Sequence, residues 1–446
     1  MFTLPTSSTR RNTKQNKVIF INELNPVFLH KIQGFLYSHL CKEIFMKQAY
    51  IVNGTRTAIG NFGGTLSTVR TDDLAAFVLK ELMKKNPNVD FTQVGDVIMG
   101  CANQAGEDNR NVARMAILLA GLPLTVPGQT VNRLCASGLS ASIDAARAIQ
   151  VGDEDLMIAS GVENMTRGPL VMSKSSSAFG RDQQLYDSSF GWRFVNPKMK
   201  ELYGVDAMGE TAENVAEKYS INRLDQDKFS FWSQQKALKA HENKRFEKEI
   251  APIEILQKKG NPVLFSKDEF AKPATTMEGL SQLKASFKKE GTVTAGNASG
   301  LNDGAAALLL ASEEGMKKNN LKPLARIVSS AVVGVEPRIM GIGPVEASNK
   351  ALSRAGLSLK DIGLIELNEA FAAQSLACMR SWGLQDNDER INVNGGAIAL
   401  GHPLGMSGTR ILNSAAIDLH IHNKKYALVT MCIGVGQGYA VIIERC

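Results

Sequence analysis

The chain has 446 residues, of which 44% are hydrophobic and 21% are charged, and this composition predicts a soluble globular protein with two or three domains. No apolar run approaches the roughly 20 residues that a membrane-spanning helix needs, which argues against a membrane protein. Residues 1–45 hold six Lys and Arg against two Glu, so +4 of the formal charge of +7 lies there. The rest of the chain is only mildly basic and has no long basic run, which disfavours nucleic-acid binding and suits a small anionic ligand.

Residues 1–45 differ from the rest of the chain, because they lack the regular alternation of strands and helices that follows. Two explanations remain open. A translation start placed upstream of Met46 is the one we favour. A mitochondrial presequence is the rival, since the segment is basic, contains Ser and Thr, and is poor in acids. We expect this extension not to be part of the fold.

From residue 47 onwards, β-rich runs alternate with amphipathic helical stretches. AYIVNG, for example, is followed by DDLAAFVLKELMKK, then by VGDVIMGCA and NVARMAILLAG. This alternation predicts an α/β fold with a largely parallel sheet covered by helices. Near the C-terminus, YALVTMCIG and GYAVIIERC predict two strands that meet around a glycine-rich turn.

The two ends of the chain resemble one another. GQTVNRL, CASG and LSASIDAARAIQ predict a strand, a sharp turn and a helix, and RINVNGGA, ALGHPLGMSG and TRILNSAAIDLH repeat that order. VGDVIMGCANQ likewise parallels IGLIELNEAFA. We interpret this as a duplicated α/β half, with chance similarity of βα units as the alternative. Residues 46–165 with 292–318 would form the first half and 319–446 the second, while 166–291 would be an inserted loop domain that carries ligand specificity.

Six cysteines are scattered without a CxxC pair or a metal-finger spacing, so neither a disulfide framework nor a metal site is predicted. Buried reduced thiols in a reducing compartment, the cytoplasm, fit this pattern. Cys135 stands out because it lies where a strand gives way to a helix. The unpaired N–H groups and the dipole at a helix N-terminus favour a thiolate, which would make Cys135 a nucleophile. Alone, it could equally be a small residue packed in a turn.

Three later residues could complete such a site. Asn368, in IELNEAF, ends an apolar strand, where its amide could polarise a carbonyl or simply cap a helix. His402 lies in the glycine-rich turn GGAIALGHPLG, and an imidazole with its ordinary pKa near 6.5 could accept a thiol proton. Cys432, in TMCIGVGQG, could act as acid and base with an ordinary thiol pKa of about 8.5, while the glycines beside it free N–H groups for an oxyanion.

Together, NRLCASG, NEAF, GGAIALGHPLG and CIGVGQG resemble, in this order and at these separations, the four active-site motifs of the thiolases. The resemblance runs from about Met46 to Cys446. It implies a five-layered α-β-α-β-α core built from two duplicated halves. Further stretches, among them GCANQAGEDNRNVARMAILLAGLP, GWRFVNPKMK and YGVDAMGET, are similar to the branch of thiolases that cleaves 3-oxoadipyl-CoA to succinyl-CoA and acetyl-CoA. Val435 also favours a degradative enzyme, because acetoacetyl-CoA enzymes commonly have glycine there.

The resemblance implies roles for these residues. His402 would take the proton of Cys135, whose thiolate attacks the 3-keto carbon, and Cys432 would protonate the departing enolate and deprotonate the incoming CoA. Asn368, through a water, and His402 would hold the thioester oxygen, and the N–H groups of Cys135 and Gly434 would hold the tetrahedral oxyanion.

Coenzyme A would be a co-substrate, with no permanently bound cofactor. The resemblance assigns Ser299, Met208 and Phe371 to the pantetheine chain. Lys272 would approach the nucleotide, although it could also be a solvated surface charge. Arg181 and Arg193 are candidates for the distal carboxylate of a dicarboxylate-derived substrate, since arginine forks pair well with carboxylates; ordinary salt bridges are the alternative.

Several alternatives stay open. Within the family, the chain could be an acetoacetyl-CoA thiolase or a broad β-oxidation thiolase. A catalytically silent thiolase-fold protein that binds acyl-CoA or lipid is a more remote possibility, and the intact Cys135, Asn368, His402 and Cys432 argue against it. A decarboxylating synthase of related fold would want one Cys with two His, or with one His and one Asn, and the second cysteine, Cys432, fits cleavage better. Thiolases generally form homodimers or homotetramers, so we expect a homo-oligomer that binds CoA and a 3-oxoacyl-CoA, and neither nucleic acid nor membrane.

Overall fold

The computed structural model describes residues 46–446, so the expectation for residues 1–45 lies outside the described part. The helices are α1 (Thr71–Lys85), α2 (Val112–Ala120), α3 (Ser137–Val151), α4 (Pro197–Tyr203), α5 (Met208–Lys218), α6 (Arg223–Glu242), α7 (Met277–Ser281), α8 (Glu313–Lys318), α9 (Gly343–Ala355), α10 (Ala372–Ser381), α11 (Ala397–Leu400) and α12 (Leu404–Ile421). The strands are β1 (Tyr50–Arg56), β2 (Gly60–Asn61), β3 (Asp96–Gly100), β4 (Gly128–Val131), β5 (Leu156–Asn164), β6 (Leu170–Met172), β7 (Leu185–Asp187), β8 (Ile253–Ile255), β9 (Val263–Phe265), β10 (Asn302–Ala311), β11 (Ala325–Gly334), β12 (Leu364–Leu367), β13 (Tyr426–Ile433) and β14 (Gln437–Arg445). Within the described residues, no helix combines the length and apolarity needed to cross a bilayer.

The main sheet has ten strands, and it consists of two halves with the same internal order. The first half runs β1-β10-β5-β3-β4 and the second runs β11-β14-β13-β12. In both halves the first two pairings are antiparallel and the next is parallel. Within the sheet, the halves join where Tyr50 pairs with Arg326 and Ile51 with Ala325. This repeated order and sense supports the duplication that the sequence predicts.

Two details of the expected fold were wrong. The main sheet is mixed, with six antiparallel pairs against three parallel ones, because β1, β10, β11 and β14 all run against a neighbour. The segment RINVNGGA forms only a single parallel bridge, from Ile391 to Ile365, in the place that β4 occupies in the first half. The glycines and the left-handed Asn392 (φ 45°) end the extended backbone there. The predicted hairpin of β13 and β14 is confirmed, with Ile433 paired to Gln437.

The helices and sheet halves form five layers. Helices α1 and α2 cover the outer face of the first half, and their apolar side chains join one hydrophobic cluster with that face. Helices α3 and α12 lie between the two halves in a central cluster, and α9 and α10 cover the outer face of the second half. Strand β13 shows why: Ala427, Val429 and Met431 enter the central cluster, and Leu428 enters the outer one. Strands buried on both faces are mostly apolar, as β13 is, with Thr430 as its buried polar exception.

Residues 166–291 contribute no strand to the main sheet. They contain two small antiparallel sheets, β6-β7 and β8-β9, together with helices α4 to α7. The boundaries of the loop domain stay a prediction.

Candidate active site

Cys135 lies in a tight turn between β4 and α3. A single 3-10 turn, Leu134–Ala136, precedes the helix, and Leu134 has a left-handed backbone (φ 47°) although it is not glycine. The side chain of Ser137 holds the turn by accepting from Arg133 N at 2.9 Å and donating to Leu134 O at 2.7 Å. A strained, over-determined turn of this kind is typical of a functional residue.

The sulfur of Cys135 faces the turn between β13 and β14. Burial raises the pKa of the Cys135 thiol to about 11, against the opposing effect of the backbone N–H groups of Gly434 and of Cys135 itself. The expectation that the helix N-terminus would favour a thiolate was therefore wrong, because loss of solvation outweighs those N–H groups. Cys135 is a thiol at neutral pH and needs a base. The N–H groups of Cys135 and Gly434 lie together, as an oxyanion site requires.

His402 is buried, and its backbone and both ring nitrogens have close polar neighbours. Its backbone N–H donates to Asn302 Oδ1 at 3.0 Å, its Nδ1 lies 2.6 Å from Ser407 Oγ, and its Nε2 lies 3.4 Å from Asn368 Nδ2. Burial, and then the positive charge of Arg410, lower the pKa of His402 to about 3. The expected ordinary pKa was wrong, since a buried ring resists protonation. The imidazole is neutral at pH 7 and free to accept a proton.

Cys432 and Asn368 lie at the ends of the adjacent strands β13 and β12. Burial, and then the neighbouring Cys135 and Cys378, raise the pKa of the Cys432 thiol well above its ordinary value, so the expected value of about 8.5 was wrong for the free protein. Asn368 is 1% exposed, and its Oδ1 has no hydrogen-bond partner within the described residues. The amide thus has an unused acceptor at the site.

Glycines bring the two halves together at this centre. Cys135 and His402 each stand three residues before a glycine at a helix start, Gly138 and Gly405. A Cβ on Gly138 would lie 2.4 Å from Gly405 O, and a Cβ on Gly405 would lie 2.2 Å from Val162 O. Only glycine allows these backbones to approach so closely. The first turn of α12 therefore packs against the turn that carries Cys135.

The buried side chain of Glu163 links the two halves by hydrogen bonds. It ends the fully buried strand β5 and accepts from Ala102 N at 3.0 Å, Asn103 N at 2.9 Å and Gly405 N at 2.9 Å. Burial raises the pKa of Glu163 to about 7 in spite of these bonds. Its charge is close enough to raise the pKa of Cys135. Glu163 therefore couples the nucleophile's half to the helix that follows His402.

The residues expected along the pantetheine chain border the same centre. A Cβ on Gly434 would lie 3.3 Å from Leu134 Cδ1 and 3.7 Å from the sulfur of Met208. Phe371 belongs to a small apolar cluster with Cys432, and Ser299 N donates to Ala370 O at 2.9 Å. Met208 therefore lies near Gly434, Phe371 near Cys432 and Ser299 next to Ala370, and their roles along pantetheine stay predictions.

The basic candidates lie farther out. Lys272 is exposed, with its Nζ 5.1 Å from the ring centre of Phe270, whose ring lies against Gly300 next to Ser299. Arg193 Nη1 donates to Ser188 O at 3.3 Å, and Arg181 lies on the exposed turn between β6 and β7. No contact in the described part of the chain joins Arg181 or Arg193 to the cysteines or to His402. Their roles stay predictions.

Three contributors to the site were missed at the sequence level: Leu134, Glu163 and Ser407. A signal existed for Glu163, since an acid inside the uninterrupted buried run LMIASGVEN demands a specific partner. The backbone angle of Leu134 and the contact of Ser407 with His402 had no signal in the sequence.

Comparisons with known proteins agree with this geometry. Residues 49–314 match the family described as "Thiolase, N-terminal domain", and residues 321–445 match "Thiolase, C-terminal domain". The chain is 57% identical over 400 residues to a beta-ketoadipyl-CoA thiolase of Acinetobacter baylyi and to the 3-oxoadipyl-CoA/3-oxo-5,6-dehydrosuberyl-CoA thiolase of Escherichia coli, covering 90% of this chain and 100% of each relative.

Solved structures are similar as well. The acetyl-CoA acetyltransferase of Bacillus anthracis superposes with a TM-score of 0.84 at 40% identity, over 91% of this chain and 100% of that one. Human mitochondrial 3-ketoacyl-CoA thiolase in complex with CoA superposes with a TM-score of 0.83 at 42% identity, over 90% of this chain and 99% of that one.

Proposed function

This chain belongs to the thiolase family, and from that premise we propose that it cleaves 3-oxoadipyl-CoA with CoA to give succinyl-CoA and acetyl-CoA. Thiolases are acyltransferases, and the 57% identity to relatives named for this substrate supports the assignment of the acyl group. The proposal is supported by the proximity of two thiols, Cys135 and Cys432, with the N–H of Gly434 beside Cys135. It is supported further by a neutral His402 whose Nε2 contacts Asn368, at the end of the strand next to Cys432.

In the first half-reaction, His402 Nε2 takes the proton of Cys135 as the sulfur attacks the 3-keto carbon. The tetrahedral oxyanion is held by the N–H groups of Cys135 and Gly434. The C2–C3 bond then breaks, the succinyl group stays on Cys135, and the acetyl-CoA enolate takes a proton from Cys432. Asn368 and His402 stabilise the enolate oxygen. Loss of one such oxyanion donor typically costs about 100-fold or more in rate.

In the second half-reaction, the Cys432 thiolate takes the proton of CoA, whose sulfur attacks the acyl-enzyme. The tetrahedral adduct collapses to succinyl-CoA, and Cys135 leaves and regains its proton from His402. Both thiols end as they began, so protons balance over the cycle. The depressed pKa of His402 and the raised pKa of Cys135 mean that both groups rest uncharged, so the scheme needs the proton to move together with formation of the new bond.

CoA is proposed as the co-substrate, with its pantetheine along Met208, Phe371 and Ser299 and its nucleotide towards Lys272. We infer in the same way a homo-oligomer that acts in the reducing cytoplasm, with no permanently bound cofactor.

Two variants test the chemistry. Cys135→Ser and His402→Ala should each lower thiolysis at least about 100-fold without unfolding the protein. Cys446→Ser is the matched control, because Cys446 is a free and exposed thiol. A succinyl mass increment on Cys135, trapped when CoA is absent, should appear in the parent and vanish in Cys135→Ser. Full activity in either active-site variant would refute the role of that residue.

A second candidate is acetoacetyl-CoA thiolysis, since an acetyl-CoA acetyltransferase of Chromobacterium violaceum is 47% identical over 398 residues. A comparison of the rates on 3-oxoadipyl-CoA, acetoacetyl-CoA and a long-chain 3-oxoacyl-CoA distinguishes these candidate functions. We expect 3-oxoadipyl-CoA to react fastest.

Arg193→Ala and Arg181→Ala should lower only the rate on 3-oxoadipyl-CoA if either guanidinium binds the distal carboxylate. An equal loss of rate on acetoacetyl-CoA would rule out that role.

A further inference from the structure

We propose that Ser407 is a positioning residue that fixes the tautomer of His402, with the proton on Nδ1 and the free electron pair on Nε2. The inference rests on the proposed function, because it concerns the base that function assigns. Ser407 lies in the first turn of α12 and is fully buried, so water does not compete for its hydroxyl.

The hydroxyl of Ser407 has one proton and two close partners. Its Oγ donates to the carbonyl of Pro403, one helical turn back, at 2.8 Å. The second partner, His402 Nδ1, lies 2.6 Å away. Because the only hydroxyl proton is used on Pro403 O, Ser407 Oγ can only accept from the ring, and Nδ1 must therefore carry a proton.

The contact on the other side of the ring agrees with the same tautomer. Asn368 Nδ2 lies 3.4 Å from Nε2, and an amide N–H can donate only to a ring nitrogen that carries no proton. Both contacts agree on an Nε2 that accepts. Since a neutral imidazole has one N–H and one acceptor nitrogen, this arrangement leaves Nε2 ready to take the Cys135 proton.

The backbone keeps the ring from turning away. Gly401 has a φ of 101°, which only glycine adopts easily, and His402 N donates to Asn302 Oδ1. The backbone thus fixes the point from which the ring projects, and the hydroxyl of Ser407 sets which nitrogen is protonated. Without it, a proton on Nδ1 would have no acceptor in the described surroundings, and the tautomer protonated on Nε2, which cannot act as a base, would gain population.

The test combines a spectrum with kinetics. In the resting parent protein, uniformly ¹⁵N-labelled at its six histidines, the signals that disappear in His402→Gln identify His402. We expect a protonated Nδ1 and an unprotonated Nε2. In Ser407→Ala the spectrum should shift towards the opposite tautomer, and kcat should fall about 10- to 100-fold, as for a buried hydrogen bond left unmade, with KM nearly unchanged.

Ser142→Ala is the matched control. Ser142 is fully buried in α3, the helix that pairs with α12, and its Oγ donates to Gly138 O at 2.9 Å, one turn back, as Ser407 does. Only the contact with His402 differs. This control should lose the same kind of helical bond and change neither the His402 spectrum nor kcat.

A protonated Nε2 in the parent would overturn the proposal, and this measurement does not require Ser407→Ala to fold. An unchanged spectrum and kcat in folded Ser407→Ala, or equal losses in Ser142→Ala, would overturn it too. Failure of the proposed function looks different: His402→Ala would keep full thiolysis while the parent spectrum still showed the expected tautomer.

Discussion

Val435 is the best place to measure the strain held at the active site. It follows Gly434 in the turn between β13 and β14, and it has a left-handed backbone with a φ of 63°. A β-branched residue is poorly suited to that conformation, which costs about 1–2 kcal/mol. Leu134, on the opposing turn, has the same kind of backbone. Two strained residues therefore flank the sulfur of Cys135 and the N–H of Gly434.

Replacement of Val435 by glycine releases the strain but has its own costs. Glycine adds disorder to the unfolded chain, which costs about 0.4–1 kcal/mol, and the partly buried side chain is lost. Val435 is 41% exposed, so the lost burial is about 1 kcal/mol or less. The gains and losses nearly cancel, and we expect the free energy of unfolding of Val435→Gly to equal that of the parent within about 1 kcal/mol.

Val263→Gly separates strain from the other terms. Val263 lies in strand β9, is 48% exposed, and has no left-handed backbone. The same chemical change there loses comparable burial and gains the same unfolded-chain disorder, but releases no strain. We expect urea unfolding to show Val263→Gly to be less stable than Val435→Gly by about 1–2 kcal/mol. Equal losses in the two variants would refute the assignment of strain to Val435.

Three further outcomes follow from the packing and charges of the site. Gly405→Ala should destabilise the protein by more than about 3 kcal/mol or prevent soluble expression, because its Cβ would meet backbone, whereas Gly334→Ala, with only one atom at 3.9 Å, should be tolerated in a thermal melt. The pKa of the Glu163 carboxyl is about 4.5 in the unfolded chain and about 7 in the folded one. Between these pH values, Glu163 therefore lowers the free energy of unfolding by about 1.4 kcal/mol for each unit of rising pH. A difference in stability between the parent and Glu163→Gln that did not change with pH would contradict this. His402 makes stability fall with falling pH, because below pH 6.5 the unfolded ring is protonated while the folded ring, with its pKa of about 3, stays neutral. Acid unfolding should therefore occur at lower pH in His402→Gln than in the parent.

The sequence was a good guide where chemistry depends on residue type and order. The strand-turn-helix around Cys135, the β13-β14 hairpin and the duplication all follow from local patterns. What it could not supply is the consequence of burial. The expected thiolate at Cys135 and ordinary pKa at His402 were both inferred from local context, and both were wrong because the folded chain buries the two groups and removes their solvation.

The mixed sheet and the short bridge at Ile391 could not be predicted from the sequence, for a related reason. Strands buried on both faces have the same apolar appearance whether they run parallel or antiparallel to a neighbour, so β10 and β14 gave no sign of their direction. Similarly, nothing in GMSG distinguishes Ser407 from any other helical serine. Its contact with His402 depends on a five-residue spacing across a turn whose shape Gly401 and Pro403 determine.

The duplication explains why one centre holds groups of different chemistry. Cys135 and His402 occupy equivalent places in the two halves, each three residues before a glycine that is the second residue of a central helix. Gly138 and Gly405 touch, with a Cβ on the first only 2.4 Å from the carbonyl of the second, so the equivalent turns must face one another. A repeated fold that packs its central helices in this way brings any two residues at those places into one site. Divergence at a single equivalent position then suffices to provide a nucleophile from one half and its base from the other.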